Sequence, residues 1–312
     1  MRSRRRFPIA LLSGVLVVAL AVVGFWHFWL RRPTGAGPVP VPVAREAFSQ
    51  VWTARPILLV GLGDSVTAGF GASPGLSYFD RLVTNPPGEF AEMQGLCLQA
   101  VLPNLRATNL AVSGSTSLQL ARSQWPRLAR QPTNVLGLVV MTTGGNDLIH
   151  NYGRTPPVEG AAYGATWEQA QPWPEAFAVR LEQILDRLRD KFPGGCQVFL
   201  ANIYDPSDGT GNLRWVGLPP WPDGLRLHAA YNRAIAGIAA RRDDVHLVDI
   251  HAAFLGHGLY CTQFWRPHYD KRDPHYWYYA NVEDPNDRGY DALRRLFLNA
   301  MADVLGGTGV NH

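Results

Sequence analysis

Residues 57–69 constrain the fold more than any other stretch of the chain. Ile57-Leu58-Leu59-Val60 is apolar, branched and of the length of a buried strand. It runs directly into Gly61-Leu62-Gly63-Asp64-Ser65-Val66-Thr67-Ala68-Gly69. A serine in a Gly-Asp-Ser turn at the C-terminal end of such a strand stands where open α/β sheets hold their ligands. The glycines allow a sharp turn and keep bulk away from an incoming substrate. Taken alone, the motif also fits an ordinary turn carrying a solvated serine.

Two further strand ends narrow the choice. Asn109-Leu110-Ala111-Val112-Ser113-Gly114 closes a second apolar run on a glycine, and Val139-Val140-Met141-Thr142-Thr143 leads into Gly144-Gly145-Asn146-Asp147. Successive strand ends thus carry a serine, a glycine and an asparagine. Acyl transfer needs those parts: a nucleophile, a bare backbone N–H and a side-chain amide that can donate to a developing oxyanion.

With these blocks in this order, the chain resembles the SGNH (GDSL-type) hydrolase family from about Ile57 to Leu305. The resemblance implies a three-layer α/β/α sandwich around a central five-stranded parallel sheet, and an esterase-like activity needing neither metal nor cofactor. It places Ser65 as nucleophile. The oxyanion hole would be formed by the backbone N–H of Ser65, the N–H of Gly114 and the amide of Asn146.

The fourth block departs from the pattern. The family presents Asp-x-x-His-Pro-Asn before its last helix, whereas this chain reads Asn281-Val282-Glu283-Asp284-Pro285-Asn286 and continues to Gly289-Tyr290. Asn281 stands in place of the aspartate and Asp284 in place of the histidine. An aspartate of ordinary pKa is a weak base for a serine hydroxyl unless burial raises it. Three readings fit: Asp284 acts directly, Asp284 orients a histidine from elsewhere, or the site is degenerate. Of the upstream histidines His251, His257, His268 and His275, the last is nearest in sequence, and we expect it to reach Ser65 with Asp284 as its orienter. His268, Asp270, Asp273 and His275 also raise a metal reading, but no zinc spacing is present and no metal is expected.

The formal net charge of +4 is concentrated at the N-terminus. Arg2, Arg4, Arg5 and Arg6 precede an apolar stretch from Phe7 to Leu30, and Arg31 and Arg32 follow it. The remainder is near neutral and has no basic stripe with interleaved aromatics, so nucleic acid is not an expected partner. The apolar stretch has the length of a bilayer crossing and ends in Trp26-His27-Phe28-Trp29, like an interfacial aromatic belt. An uncleaved signal anchor is expected, with the N-terminus cytoplasmic and the catalytic domain periplasmic or extracellular. Residues 1–32 would form the basic stub and anchor, 33–50 a Pro/Gly-rich linker, and 51–308 the hydrolase domain. Cys97, Cys196 and Cys261 allow at most one disulfide.

Helices are expected over 89–102, 115–130 (kinked at Pro126), 173–191, 225–242 and 286–305. Strands are expected at 197–202 and 245–249. Two insertions, 149–172 and 250–284, should overhang the active face, and the aromatics crowding the second could line a pocket or pack the loop. The sequence therefore predicts a monomeric, membrane-anchored serine ester hydrolase acting on a small-molecule, lipid or glycan ester. A noncatalytic binding module of the same fold and an acyltransferase are the alternatives.

Overall fold

The computed structural model describes residues 6–306; Arg2, Arg4, Arg5 and residues 307–308 of the expected domain lie outside that range. Five strands form one parallel sheet: β1 (Ile57–Gly63), β2 (Leu105–Asn109), β3 (Leu136–Thr142), β4 (Cys196–Ala201) and β5 (Val245–Val248), in the spatial order β2-β1-β3-β4-β5. The two-residue period of a strand sorts β1 between two cores. Ile57 and Leu59 enter one core with Tyr78, Phe199 and Phe297, while Leu58, Val60 and Leu62 enter the other with Phe177, Leu181 and Tyr231. The helices Tyr78–Val83 and Asp287–Met301 cover the first face, and Trp173–Lys191 and Gly224–Ala239 cover the second. The result is the three-layer sandwich that the sequence predicts.

Register decides where the chemistry lies. Gly63 pairs with Thr142 and Gly61 with Asn109, so β1, β2 and β3 deliver their loops to one edge of the sheet. Gly63 is required there: its φ is +127°, and a Cβ would sit 1.9 Å from the Thr142 carbonyl oxygen.

The long helices follow their apolar spacing, with Phe177, Leu181, Ile184, Leu185 and Leu188 buried on one stripe of Trp173–Lys191. Two expected helices are shorter than predicted. Over 89–102 there is a single turn at Ala91–Met93, a glycine turn at Gly95 (φ +79°), and a short helix Leu98–Val101. Glu89 and Glu92, which open that segment, are drawn to Arg294 and Arg295 on the last helix. Over 115–130 the helix spans only Ser117–Ser123, begun by a capping box of Thr116 and Gln119. It ends because the Gln124 side chain turns in to bond both the N–H and the C=O of Gly63; Pro126 then lies in a separate turn, Trp125–Arg127.

At the N-terminus, helix Arg6–Phe25 continues into a wider turn, Trp26–Leu30. The span Leu12–Leu30 is long and apolar enough to cross a membrane or to serve as a signal sequence. All three cysteines are free and buried.

Candidate active site

Ser65 opens a single helical turn, Ser65–Ala68, directly beyond β1. Asp64 caps that turn: its Oδ1 accepts from the Val66 N–H at 3.2 Å and from the Thr142 hydroxyl at 2.6 Å, which ties the nucleophile turn to the end of β3. Asp64 is buried, and burial raises its pKa to about 6 against the restraint of Thr142, with the nearby Asp284 charge adding to the rise. Ser65 remains half-buried and lines a cavity of about 140 Å³.

Asn146 also lines this cavity, from the first turn of helix Gly145–Ile149. One amide hydrogen goes to the Ser115 carbonyl at 3.1 Å, which leaves the second free to donate. Ser115 is held in turn by Gln124, the residue that clamps Gly63. Gly114 precedes Ser115 in a turn closed by Ser115 N–H to Val112 C=O at 3.0 Å. Its φ is +78° and nothing lies within 4 Å of a Cβ built there, so backbone conformation alone selects glycine. Gly114 is exposed and sits beside the cavity, outside its lining.

The fourth block forms a tight loop between Tyr278 and Pro285, closed by Tyr279 N–H to Asp284 C=O at 2.7 Å and Val282 N–H to Tyr279 C=O at 3.0 Å. Val282 has a φ of +71°, a strained conformation for a β-branched residue, and it lines the cavity. Asn281 and Asp284 face each other. The Asn281 amide donates to Asp284 Oδ2 at 2.6 Å, and the Asp284 N–H donates to Asn281 Oδ1 at 3.1 Å. Asp284 Oδ1 is buried with no hydrogen-bond partner among the described residues. Burial raises the Asp284 pKa; the Ser65 hydroxyl and the Asn281 amide, both near the carboxyl, only partly offset it. The structure thus brings Asp284 to Ser65.

His275 is placed elsewhere. Its Nδ1 engages Asp273, which also accepts from Arg288 and from the Trp277 indole at 3.0 Å. The ring packs under Gly35 of the linker, where a Cβ would lie 2.6 Å away, and it does not line the cavity. The expectation that His275 reaches into the serine site is corrected on this point. The cause is a ready anion–cation pair, Asp273 with Arg288, which anchors the ring at the base of the insertion. His257 stacks on Trp277 with ring centroids 3.6 Å apart, a packing role. Among the described residues, the histidine that lines the cavity is His228, whose Nε2 is 2.8 Å from the Ile203 carbonyl oxygen.

The aromatics of the 250–284 insertion pack the loop and leave the cavity to others. Phe254, Tyr260, Tyr276, Trp277 and Tyr278 are buried in the core, and none lines the pocket. The pocket wall comes from Leu148 of helix Gly145–Ile149, from Ile149 and Tyr152 at the start of the first insertion, and from Ile203, Leu213 and Leu218 of the segment after β4. That segment carries no catalytic motif. Its signal is the same strand-end rule, since Asn202-Ile203 follow β4 directly.

A three-layer sandwich on a parallel sheet that presents a serine and an asparagine amide to one cavity, with the Asp284 carboxyl close to the serine, has the architecture of an SGNH-type hydrolase. Comparison with known proteins agrees. The family model for the GDSL-like lipase/acylhydrolase family matches residues 62–292. The extracellular lipase of Streptomyces rimosus is similar in structure, with a TM-score of 0.53 and 19% identity over 78% of this chain and 99% of that one. A catalytic mutant of Axe2, an acetylxylan esterase of Geobacillus stearothermophilus, gives a TM-score of 0.51 at 19% identity, covering 80% of this chain and 96% of that one. No curated protein matches the chain. The chain belongs to the GDSL-like lipase/acylhydrolase family, enzymes that act on ester bonds.

Proposed function

We propose that the protein is a membrane-anchored, extracytoplasmic serine ester hydrolase whose general base is Asp284 acting directly on Ser65. The observation that carries this reading is the buried, unpartnered Asp284 Oδ1 beside the serine, with Oδ2 held by Asn281. Hydrogen bonds of a catalytic pair are often long before substrate binds, so an unclosed contact is compatible with the role.

In this mechanism Ser65 Oγ attacks the acyl carbonyl while its proton passes to Asp284. The negative charge on the tetrahedral intermediate is held by the Ser65 and Gly114 N–H groups and the free hydrogen of the Asn146 amide. Asp284 returns the proton to the departing alcohol, leaving the acyl group on Ser65. Water then attacks the acyl-enzyme, again giving its proton to Asp284; the bond to Ser65 Oγ breaks as Asp284 returns that proton to the serine, and the acid is released. The apolar wall suits the acyl part of the ester.

The Leu12–Leu30 helix supports anchoring, and the arginine excess ahead of it favours a cytoplasmic N-terminus. A fluorophosphonate probe tests the enzymatic reading: the folded protein should be labelled and Ser65→Ala should not. Failure to label folded wild-type protein would favour a degenerate, noncatalytic site.

A further inference from the structure

The wider turn at the end of the apolar helix is docked on the catalytic domain. The Gln263 side chain donates to the Phe28 carbonyl at 2.8 Å and the Thr262 hydroxyl to the His27 carbonyl at 3.2 Å. Phe28 packs on Trp265 with ring centroids 4.7 Å apart and on Phe264 at 5.8 Å. On another side, Phe25 meets Trp215 edge-on at 5.3 Å. Trp215 lies between Leu213 and Leu218, both of which wall the catalytic cavity.

This contact leaves large apolar side chains uncovered. Phe264 is 64% exposed, Trp26 52% and Trp265 47%, all at the end of the apolar helix. Arginines flank them: Arg31 over Trp26, Arg214 over Trp215, and Arg266 over Tyr260. Apart from Asp208 before the first and Asp270 after the second, the segments 209–221 and 255–269 contain no acidic residue. Aromatic rings with polar edges and arginines beside them suit the headgroup layer of an anionic bilayer.

We propose that the catalytic domain is clamped to the surface of the bilayer that its own helix enters. Phe264 and Trp265 sit in the headgroup layer, and the 211–218 wall of the cavity lies against it. The occupant of the aromatic patch is lipid, and the cavity mouth opens beside the membrane. This inference rests on the reading of Leu12–Leu30 as a membrane anchor.

The test uses the full chain reconstituted in phosphatidylcholine/phosphatidylglycerol vesicles. A Phe264→Cys variant is labelled with an environment-sensitive fluorophore, the native cysteines being buried. A Val179→Cys variant, at an exposed position on helix Trp173–Lys191, provides the comparison. Blue-shifted emission at 264, quenched by headgroup-region nitroxide lipids several-fold more than at 179, is the expected result. Vesicle-bound protein with no quenching at 264, or with equal quenching at both sites, overturns the clamp while leaving the anchor intact. Protein that fails to float with the vesicles overturns the anchor reading and the clamp with it.

Discussion

The amide of Asn281 donates to Asp284 Oδ2 at 2.6 Å, and the Asp284 backbone N–H donates back to Asn281 Oδ1 at 3.1 Å. The spacing is that of the Asp-x-x-His block expected from the resemblance, but here an amide donates to a carboxylate. The two departures from the pattern explain each other, because an aspartate at 281 would set a second carboxyl against the one at 284.

That relationship can be tested by restoring the first half of the pair alone. Asn281→Asp should raise the Asp284 pKa further by like-charge repulsion and move the acid limb of kcat/KM to higher pH. Asn281→Ala should move it in the same direction by removing a donor to the carboxylate. An acid limb unchanged in both variants would show that Asn281 does not act on the base.

The wild-type pH profile has a required sign. Burial raises Asp284, and the base works only when deprotonated, so activity should fall as pH drops through a pKa above the ordinary aspartate value. Asp64, with a pKa of about 6, and Glu283, raised by burial and by the Asp284 charge, titrate nearby, so the limb belongs to the cluster of carboxyls. A limb at or below the ordinary aspartate value, found in kcat/KM, would contradict the burial argument.

Asn146 keeps one amide hydrogen free beside Ser65. Asn146→Ala should lower kcat by about 100- to 1000-fold with little change in KM, the usual signature of a lost oxyanion donor. Steady-state kinetics on a simple ester decide this, and wild-type kcat would remove Asn146 from the hole.

Much of this site was legible in the sequence, because strand ends in a parallel sheet converge on one edge and the register follows from apolar runs. Ser65 and Asn146 both line the cavity, and Asn281 and Asp284, which the Pro285-Asn286 and Gly289-Tyr290 frame singles out, pair with each other. Nearness in sequence misled for His275, since the Asp273–Arg288 pair that holds it joins an insertion to the last helix. The 89–102 segment has the composition of a helix, yet its glutamates answer arginines about 200 residues away. Tertiary pairing of that kind leaves no local periodicity. The cavity wall after β4 starts at a strand end, which places Asn202-Ile203 at the active edge, but Leu213 and Leu218 lie further along the loop without a motif and only the fold assigns them.

Asp64 carries a stability consequence with a definite sign. Its folded pKa of about 6 lies above the value of 3.8 for an unhindered aspartate, so the folded state holds its proton longer. The stability associated with that proton is full below about pH 3.8 and is lost as pH rises towards 6, a loss of at most about 3 kcal/mol. Asn can still accept from the Val66 N–H and the Thr142 hydroxyl. Asp64→Asn should therefore match wild type in thermal unfolding near pH 4 and exceed it increasingly towards pH 7. A difference in melting temperature that does not change with pH would argue against the raised pKa.

If Leu12–Leu30 remains in the mature protein, it should fractionate with membranes and resist alkaline carbonate extraction. A soluble form beginning near the linker would identify the segment as a cleaved signal instead.

The central claim is that the Asp284 carboxylate, and not His275, takes the Ser65 proton. Asp284→Asn preserves size and removes the basic oxygen, whereas His275→Ala removes a ring that packs against Asp273 and the linker. With both variants shown to be folded, kcat/KM on a soluble ester at neutral pH tests the claim directly. Asp284→Asn should lose about 100- to 10,000-fold, and His275→Ala should stay within about threefold of wild type. Near-normal activity in Asp284→Asn, or a collapse in folded His275→Ala, would contradict it.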